Sequence, residues 1–352
     1  MKNILIVNPF GIGDVLFTTG LARNLRSGFP DSRITYWCNQ RVKEILELNP
    51  NIDDIIACSR GDLKKIFHAS FLNGIKSLFS LCRLIRKKHF ECVFDFSLDY
   101  RYSLLLKMLG VPKRIGFDYK NRGRFLTDKI KIQGYDALHA AEWYAQLLKF
   151  VGVKPDDNHL DLFVNDEDTK VAKKLISNAA KAPLAAIAVS SGASWGKRAY
   201  LKQWPEENFA ELIDRLVSGL KAEVVLIGDV SEEKVAERIE KLLSNPVVNL
   251  CGKTTLRQLA AVINLSRAVI ATDGGILHMA RALNIPAVSI FGPVDERVYG
   301  PYPASEKYRV VKAQVPCRPC YRDFRIEDCQ HNLKCLTNIK PDEVFENLRR
   351  IW

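Results

Sequence analysis

No stretch of this chain approaches the roughly 20 consecutive apolar residues that a membrane-spanning helix needs, which excludes an integral helical membrane protein. It has no low-complexity tract and no internal repeat of solenoid period, so neither a disordered linker protein nor a repeat scaffold fits. Nucleic-acid modules are missing as well. There is no RNP motif, no zinc-finger spacing and no strand interleaving aromatic with basic residues, so no nucleic-acid partner is expected. After Met1-Lys2-Asn3 the chain runs straight into Ile4-Leu5-Ile6-Val7, with no signal-peptide cleavage pattern, and the expectation is a cytoplasmic protein. What remains is an ordinary globular composition, 47% hydrophobic and 26% charged over 352 residues, too long for one comfortable core. The net charge of +12 is uneven. Residues 1–165 hold 25 Lys and Arg against 17 Asp and Glu, or +8, and the remainder 27 against 23, or +4. A basic first half points to an acidic partner such as an anionic lipid or a phosphorylated glycolipid, with plain solvation as the alternative.

Strands and helices alternate twice along the chain, which predicts a doubly wound α/β pattern in each half. In the first half the strands are Asn3–Asn8, Arg33–Cys38, Ile55–Cys58, Cys92–Phe96 and Arg114–Phe117. Helices are expected at Asp14–Gly28, Arg41–Leu48, Leu63–Lys88 and Ala137–Val151, the last ending at Gly152. In the second half the strands are Leu184–Ser190, Glu223–Ile227, Val247–Leu250, Ala268–Thr272 and Ala287–Phe291, with helices Glu206–Gly219, Ser231–Leu243, Leu256–Asn264 and Ile276–Leu283. The expected division is 1–160 as a Rossmann-like first domain, 161–182 as linker and outer helix, and 183–340 as a Rossmann-like second domain. Residues 341–352 form a final helix. The stripe Leu63, Ile66, Phe67, Phe71, Ile75, Leu78, Cys82 and Ile85, set among Lys64, Lys65, Lys76, Arg83, Arg86, Lys87 and Lys88, reads as a crossover helix covering the sheet. An anionic membrane surface is its alternative partner.

Thr272 to Pro301 is the most informative segment. Asp273 closes an apolar strand, Gly274 and Gly275 follow, and His278 falls in the first turn of the next helix. Glycines and free N–H groups at a strand–helix junction admit a phosphate to the helix N-terminus, and the acid is placed to hold a sugar hydroxyl. A nucleotide-activated substrate at the carboxyl ends of the strands fits this chemistry. Four other segments add to it. Asn8-Pro9-Phe10-Gly11-Ile12-Gly13-Asp14 lacks the third glycine of a dinucleotide fingerprint, and no acid ends the second strand, so NAD is not expected. Asp14 reads either as a helix cap or as a general base. Ser190-Ser191-Gly192-Ala193-Ser194, followed by Lys197, Arg198 and Lys202-Gln203-Trp204-Pro205, offers hydroxyls and cations to a departing diphosphate, or is a solvated loop with a helix-entry device. Gly228-Asp229-Val230-Ser231-Glu232 could hold a ribose through Glu232, or be a helix start enriched in acid. Cys317, Cys320, Cys329 and Cys335 have spacings that could hold a structural zinc, pair on oxidation or remain buried thiols. No Asp-x-Asp stands at a strand end to hold a metal–diphosphate, and Asp53-Asp54 lies in a loop.

Taken in order, the Gly13-Asp14 pair, Lys202-x-Trp204-Pro205, Asp273-Gly274-Gly275-x-x-His278, the turn Phe291-Gly292-Pro293-Val294-Asp295 and the Cys-rich tail resemble glycosyltransferase family nine. These are the heptosyltransferases of lipopolysaccharide core assembly. Two departures stand out: Gly274 replaces the family's hydroxyl residue and Val294 its Thr. The resemblance implies a GT-B fold, two Rossmann-like doubly wound domains facing across a cleft, with the last helix returning to the first domain. It implies inverting, metal-independent transfer of a heptose from ADP-heptose, with no cofactor, to a phosphorylated lipid A/Kdo acceptor at the cytoplasmic face of the inner membrane. The enzyme would be a peripheral monomer. By the same resemblance Asp14 is the base and Lys202 stabilises the leaving ADP. The donor contacts are Ser191, Gly192, Ser194, Lys202, Gly228, Glu232, Thr254, Asp273, Gly274, Gly275 and His278. For the acceptor the candidates are Gly11 and Gly13 with the basic cluster Lys120, Arg122 and Arg124. A transferase using another nucleotide sugar and a non-catalytic scaffold with a basic face are the rival readings.

Overall fold

The computed structural model describes residues 1–155, 159–176, 182–189 and 193–352. It divides into two compact units, Met1–Asn158 and His159–Trp352. The expected linker therefore belongs to the second unit from its start.

The first unit begins with β1 (Asn3–Asn8), whose apolar run is fully buried from Ile4 to Val7, as a central strand of a parallel sheet requires. The expected single helix after it is broken into α1 (Ile12–Phe17) and α2 (Thr19–Gly28). At the break the Thr18 hydroxyl donates 2.7 Å to the Val15 carbonyl, the local competition that makes Thr a poor helix interior residue. β2 (Arg33–Cys38) and β3 (Asp54–Ala57) follow. The long basic segment is likewise two helices, α3 (Arg60–Ala69) and α4 (Phe71–Lys87). Ser70 is extended between them and its Oγ caps Asn73 N. The unit continues with β4 (Cys92–Asp95), α5 (Tyr100–Met108), β5 (Lys113–Tyr119), β6 (Asp128–Ile132) and α6 (Ala140–Ala145). A 3-10 segment then runs to the left-handed Gly152. The sheet is all parallel, in the order β3-β2-β1-β4-β5-β6.

α4 departs from the expected stripe. Only Gly74, Leu81 and Ile85 are buried, the last two among Leu5, Val7, Trp37 and Val93. Phe71, Leu72, Ile75 and Phe79 are 69, 70, 46 and 68% exposed. Length explains it. Seventeen helical residues span about 26 Å, whereas the four residues of β3 or of β4 span about 13 Å. The sheet covers the second half of the helix and not the first.

The second unit opens with α7 (Asp166–Leu175), capped by Asn165 and tied by Asp168 to Arg257 at 2.7 Å. Then come β7 (Leu184–Ala188), α8 (Glu206–Leu220), β8 (Glu223–Ile227), α9 (Glu233–Leu242), β9 (Val248–Asn249) and α10 (Leu256–Leu265). β10 (Ala268–Thr272), α11 (Gly275–Ala282), β11 (Ala287–Phe291), α12 (Glu296–Tyr299), β12 (Tyr308–Lys312), α13 (Lys334–Thr337) and α14 (Pro341–Arg349) complete it. Its parallel sheet runs β12-β11-β10-β7-β8-β9. β6 and β12, both edge strands, were not expected from sequence. β6 reads Asp-Lys-Ile-Lys-Ile, with its charged side chains outward on a half-covered edge, so its apolar signal is weak.

Val344 and Leu348 of the last helix, α14, are fully buried in the second unit's own core, against α8 and strands β11 and β12. Trp204, also fully buried, donates its indole N–H 3.1 Å to the Ile339 carbonyl and fixes the approach to that helix.

Candidate active site

Ligands of open α/β sheets bind at the carboxyl edge, where neighbouring strands send their connections to opposite sides. In the second unit that point lies between β7 and β10, because β8 and β9 extend one way from the pair and β11 and β12 the other. The segment after β7 leads to Lys202, and the segment after β10 is Asp273-Gly274-Gly275. Topology thus brings together two motifs 71 positions apart, and Lys202 Nζ lies 2.6 Å from Asp273 Oδ2. Both side chains are buried, 9 and 7% exposed, which makes the pair a fixed local dipole and not a solvated surface contact. Gly274 is extended and supplies no side-chain cap to α11, so the first N–H groups of that helix meet no side-chain acceptor from the capping position.

His278 is in the first turn of α11, 3% exposed. Burial, helped by the nearby Lys202 charge, pushes its pKa down to about 3, so the imidazole is neutral near pH 7. The sign of the linkage follows. An unfolded histidine titrates near 6.5, so as pH falls from about 6.5 toward 3 the unfolded state takes up a proton that the native state refuses, and stability is lost. Between pH 7 and pH 5 this amounts to about 2 kcal/mol. Asp95, buried and raised to about 6, works in the opposite sense over the same range. The comparison is therefore with His278→Asn. Urea midpoints at both pH values should show the wild type losing about 2 kcal/mol more than the variant. Equal pH dependence of the two proteins would place a titrating, solvated imidazole at this position.

In the first unit the corresponding point lies between β1 and β4. The loop after β1 is held by Asn8, whose Nδ2 donates 2.9 Å to the Asp14 carbonyl and 3.3 Å to Thr18 Oγ1. Asp14 is half-buried in the first turn of α1, and its Oδ1 accepts the Tyr144 hydroxyl at 3.0 Å. A Cβ at Gly11 would meet nothing within 4 Å, so that position faces open space. Gly13 is half-buried in the same turn of helix.

The expected acceptor residues also sit at this carboxyl edge, in the turn joining β5 to β6. Asp118 organises the turn by accepting Gly123 N at 2.9 Å and pairing with Lys129 at 2.9 Å. A Cβ at Gly123 would lie 2.8 Å from that of Asp118, so the close turn requires glycine there. Lys120, Arg122 and Arg124 are exposed, and each leans on an aromatic ring. Lys120 and Arg122 lie 4.8 and 5.7 Å from the Tyr119 ring centre, and Arg124 lies 4.4 Å from that of Tyr100.

The model of glycosyltransferase family 9 (heptosyltransferase) matches residues 78–331. This chain belongs to that family. Among its relatives is lipopolysaccharide heptosyltransferase 2 of Escherichia coli K12, 24% identical, with 99% of this chain and 98% of the relative covered. Among solved structures, a glycosyl transferase family 9 protein from Veillonella parvula superposes with a TM-score of 0.83 at 24% identity, covering 99 and 97% of the two chains. The E. coli ADP-heptose lps heptosyltransferase II superposes at 0.78 and 22%, covering 100 and 98%. The chain is a glycosyltransferase, and its two doubly wound units are those of the GT-B fold.

Within this family 9 chain the remaining donor candidates form a second group. Gly252 N donates 3.0 Å to the Gly228 carbonyl, which joins the turn after β8 to the turn carrying the half-buried Thr254. Glu232 is buried and accepts Asp229 N at 2.8 Å in a capping box. It packs so closely under Gly228 that a Cβ there would stand 2.4 Å from its Oε2. One oxygen of Glu232 thus serves the helix start. Ser191 and Gly192 lie outside the described residues, as do the side chains of Ser194 and Lys197. Arg198, expected to share the role of Lys202, instead reaches Asp328 at 3.1 Å and the Ile326 carbonyl at 2.7 Å.

Among the described residues no three His, Cys, Asp or Glu side chains are gathered as a metal requires. Cys335 is buried in α13 within the second core, whereas Cys320 is exposed and donates its thiol to the Cys317 carbonyl. Burial, with smaller effects from the other three cysteines, pushes the Cys335 thiol up to about 11. The sequence reading missed Tyr144, which lies 130 positions from Asp14 and carries no local signal. It also missed Asp95, a buried carboxyl ending β4 beside β1.

Proposed function

We propose that this family 9 glycosyltransferase moves a heptose from ADP-heptose, with inversion and without a metal ion, to a phosphorylated lipopolysaccharide-core acceptor. The buried Lys202–Asp273 pair beside neutral His278, at the switch point of the second sheet, carries the reading. Lys202 and the uncapped N–H groups of α11 are a preorganised source of positive potential for a departing diphosphate. Asp273 would hold a sugar or ribose hydroxyl, and neutral His278 would hydrogen-bond the diphosphate without adding charge. Gly274 and Gly275 would let the phosphates reach the backbone. Gly228, Glu232 and Thr254 would line the nucleoside, and Ser191, Gly192 and Ser194 would meet diphosphate oxygens.

Asp14 would take the proton from the acceptor hydroxyl. The new bond forms between that oxygen and the sugar's anomeric carbon as the bond from that carbon to the diphosphate oxygen breaks, and ADP leaves with its electron pair. One displacement inverts the configuration and needs no covalent enzyme intermediate. Gly11 and Gly13 would leave room for the acceptor, and Lys120, Arg122 and Arg124 would neutralise its phosphates. The enzyme would act as a peripheral monomer on the cytoplasmic face of the inner membrane. Gly274 favours a second reading, in which the same fold takes another nucleotide sugar, since the family's hydroxyl is absent there.

A thermal-shift panel with ADP, UDP, GDP and CMP, with and without EDTA, tests both readings. Ligand at about 100 times its Kd adds roughly 2.7 kcal/mol to native stability, so a selective, EDTA-insensitive rise in Tm with ADP is the expected result. A selective rise with another nucleotide would transfer the donor to that class. No rise with any of the four would reject nucleotide-sugar transfer in favour of a scaffold.

A further inference from the structure

We infer that the first half of α4 docks on an anionic lipid surface. The observation is a coincidence of two properties on one helix. Leu72, Ile75, Leu78 and Phe79 are exposed by 70, 46, 36 and 68%, and they fall within one 120° arc of the helix at 100° per residue. No Asp or Glu occurs between Leu63 and Phe90, whereas seven Lys or Arg do. Lys76, Arg83 and Lys87 on α4 are exposed and lie on one flank of that arc, and Arg86, also exposed, lies in line with the arc toward the other end of the helix. An apolar strip beside a purely cationic flank is the pattern of a helix lying in the plane of a membrane interface, apolar side into the headgroup–acyl boundary. A protein partner with an apolar groove would leave those cations unmatched, and a nucleic acid would leave the apolar strip unmatched. Among the described residues no helix is long and apolar enough to cross a membrane, so contact with lipid through α4 would be superficial and reversible.

The position on the fold adds a reason. β3 and β4 are parallel and α4 must return the chain to the amino end of β4, so its first half lies toward the carboxyl edge of the sheet. That edge also carries Asp14 and the turn of Lys120, Arg122 and Arg124. Docking there would present the edge to acceptors held in the lipid. The inference rests, in this respect, on the proposed lipid-borne acceptor.

The experiment is cosedimentation of the full chain with phosphatidylcholine vesicles, with and without phosphatidylglycerol, at low and high salt. Turnover of a delipidated acceptor is measured in parallel. Wild type should bind the anionic vesicles, and L72S/F79S should bind at least about tenfold more weakly. Replacing Arg83, Arg86 and Lys87 by Gln should cost about fivefold per charge and flatten the salt dependence. All five positions are exposed, and turnover of the delipidated acceptor should stay at the wild-type level, which separates loss of docking from loss of the enzyme. Equal vesicle binding by wild type and L72S/F79S would overturn the inference, as would absence of wild-type binding to anionic vesicles. A wild-type dimer in light scattering that L72S/F79S dissociates would overturn it too, by assigning the strip to a second copy. Absence of turnover in every protein with vesicle binding intact would reject the catalytic reading and leave the docking surface standing.

Discussion

Asp14→Asn should lower kcat by about 10²–10⁴-fold, the range for loss of a positioned general base, with little change in stability. The geometry separates the two effects. Asn keeps the oxygen that accepts the Tyr144 hydroxyl and leaves the Asn8 bond to the residue 14 carbonyl untouched. The substitution also removes a negative charge from the first turn of α1, worth about 0.3–1 kcal/mol. Asn cannot take a proton from an acceptor hydroxyl. The check is steady-state turnover beside a urea denaturation curve for each protein. A kcat within about threefold of wild type would return Asp14 to an ordinary first-turn acid, since that is far below the general-base range. Tyr144→Phe is an informative companion. It removes the hydrogen bond without removing the carboxylate, so it should leave most of kcat. A variant that matched Asp14→Asn in rate would mean that Tyr144 itself touches the reacting groups.

The strands nearest the sheet centres were legible because parallel strands buried on both faces read as uninterrupted apolar runs. Ile4 to Val7, Leu184 to Ala188 and Ala268 to Ala271 are such runs, and all are buried. β6 and β12 lack that signal because charged residues interrupt their apolar ones, and they were missed. Helix breaks at Thr18 and Ser70 depend on a single hydroxyl choosing a backbone partner, which a stripe of apolar spacing does not reveal. Asp14 in the first unit and Lys202, Asp273 and His278 in the second were legible as motif residues. The pairing within the second unit was not. Lys202 and Asp273 meet because β7 and β10 are neighbours at the point where the strand order reverses, a property of the sheet and not of either segment. Glu232 shows the opposite case. Its residue type was noticed, and the fold uses at least part of it to cap the following helix.

Lys202→Met should be damaging in two separable ways. The cation is 2.6 Å from Asp273 in surroundings that leave both side chains under 10% exposed. Removing one member of a buried pair strands the other and typically costs about 3–5 kcal/mol, so a large fall in urea midpoint is expected. The double variant Lys202→Met/Asp273→Asn removes both charges and should recover most of that stability, because an uncharged amide is far cheaper to bury than an unpaired carboxylate. Activity should not follow stability. If Lys202 meets the departing diphosphate, the double variant remains at least about 10²-fold slow, as when one preorganised electrostatic contact is lost. His278 supplies an internal reporter, since the Lys202 charge is one of the two causes that hold its pKa low. In either variant that pKa should rise from about 3 while burial keeps it below 6.5, a shift readable by NMR titration of the imidazole. A double variant that regained both stability and turnover would make Lys202 a structural counter-ion to Asp273, and the leaving group would then be met by the N–H groups of α11 alone.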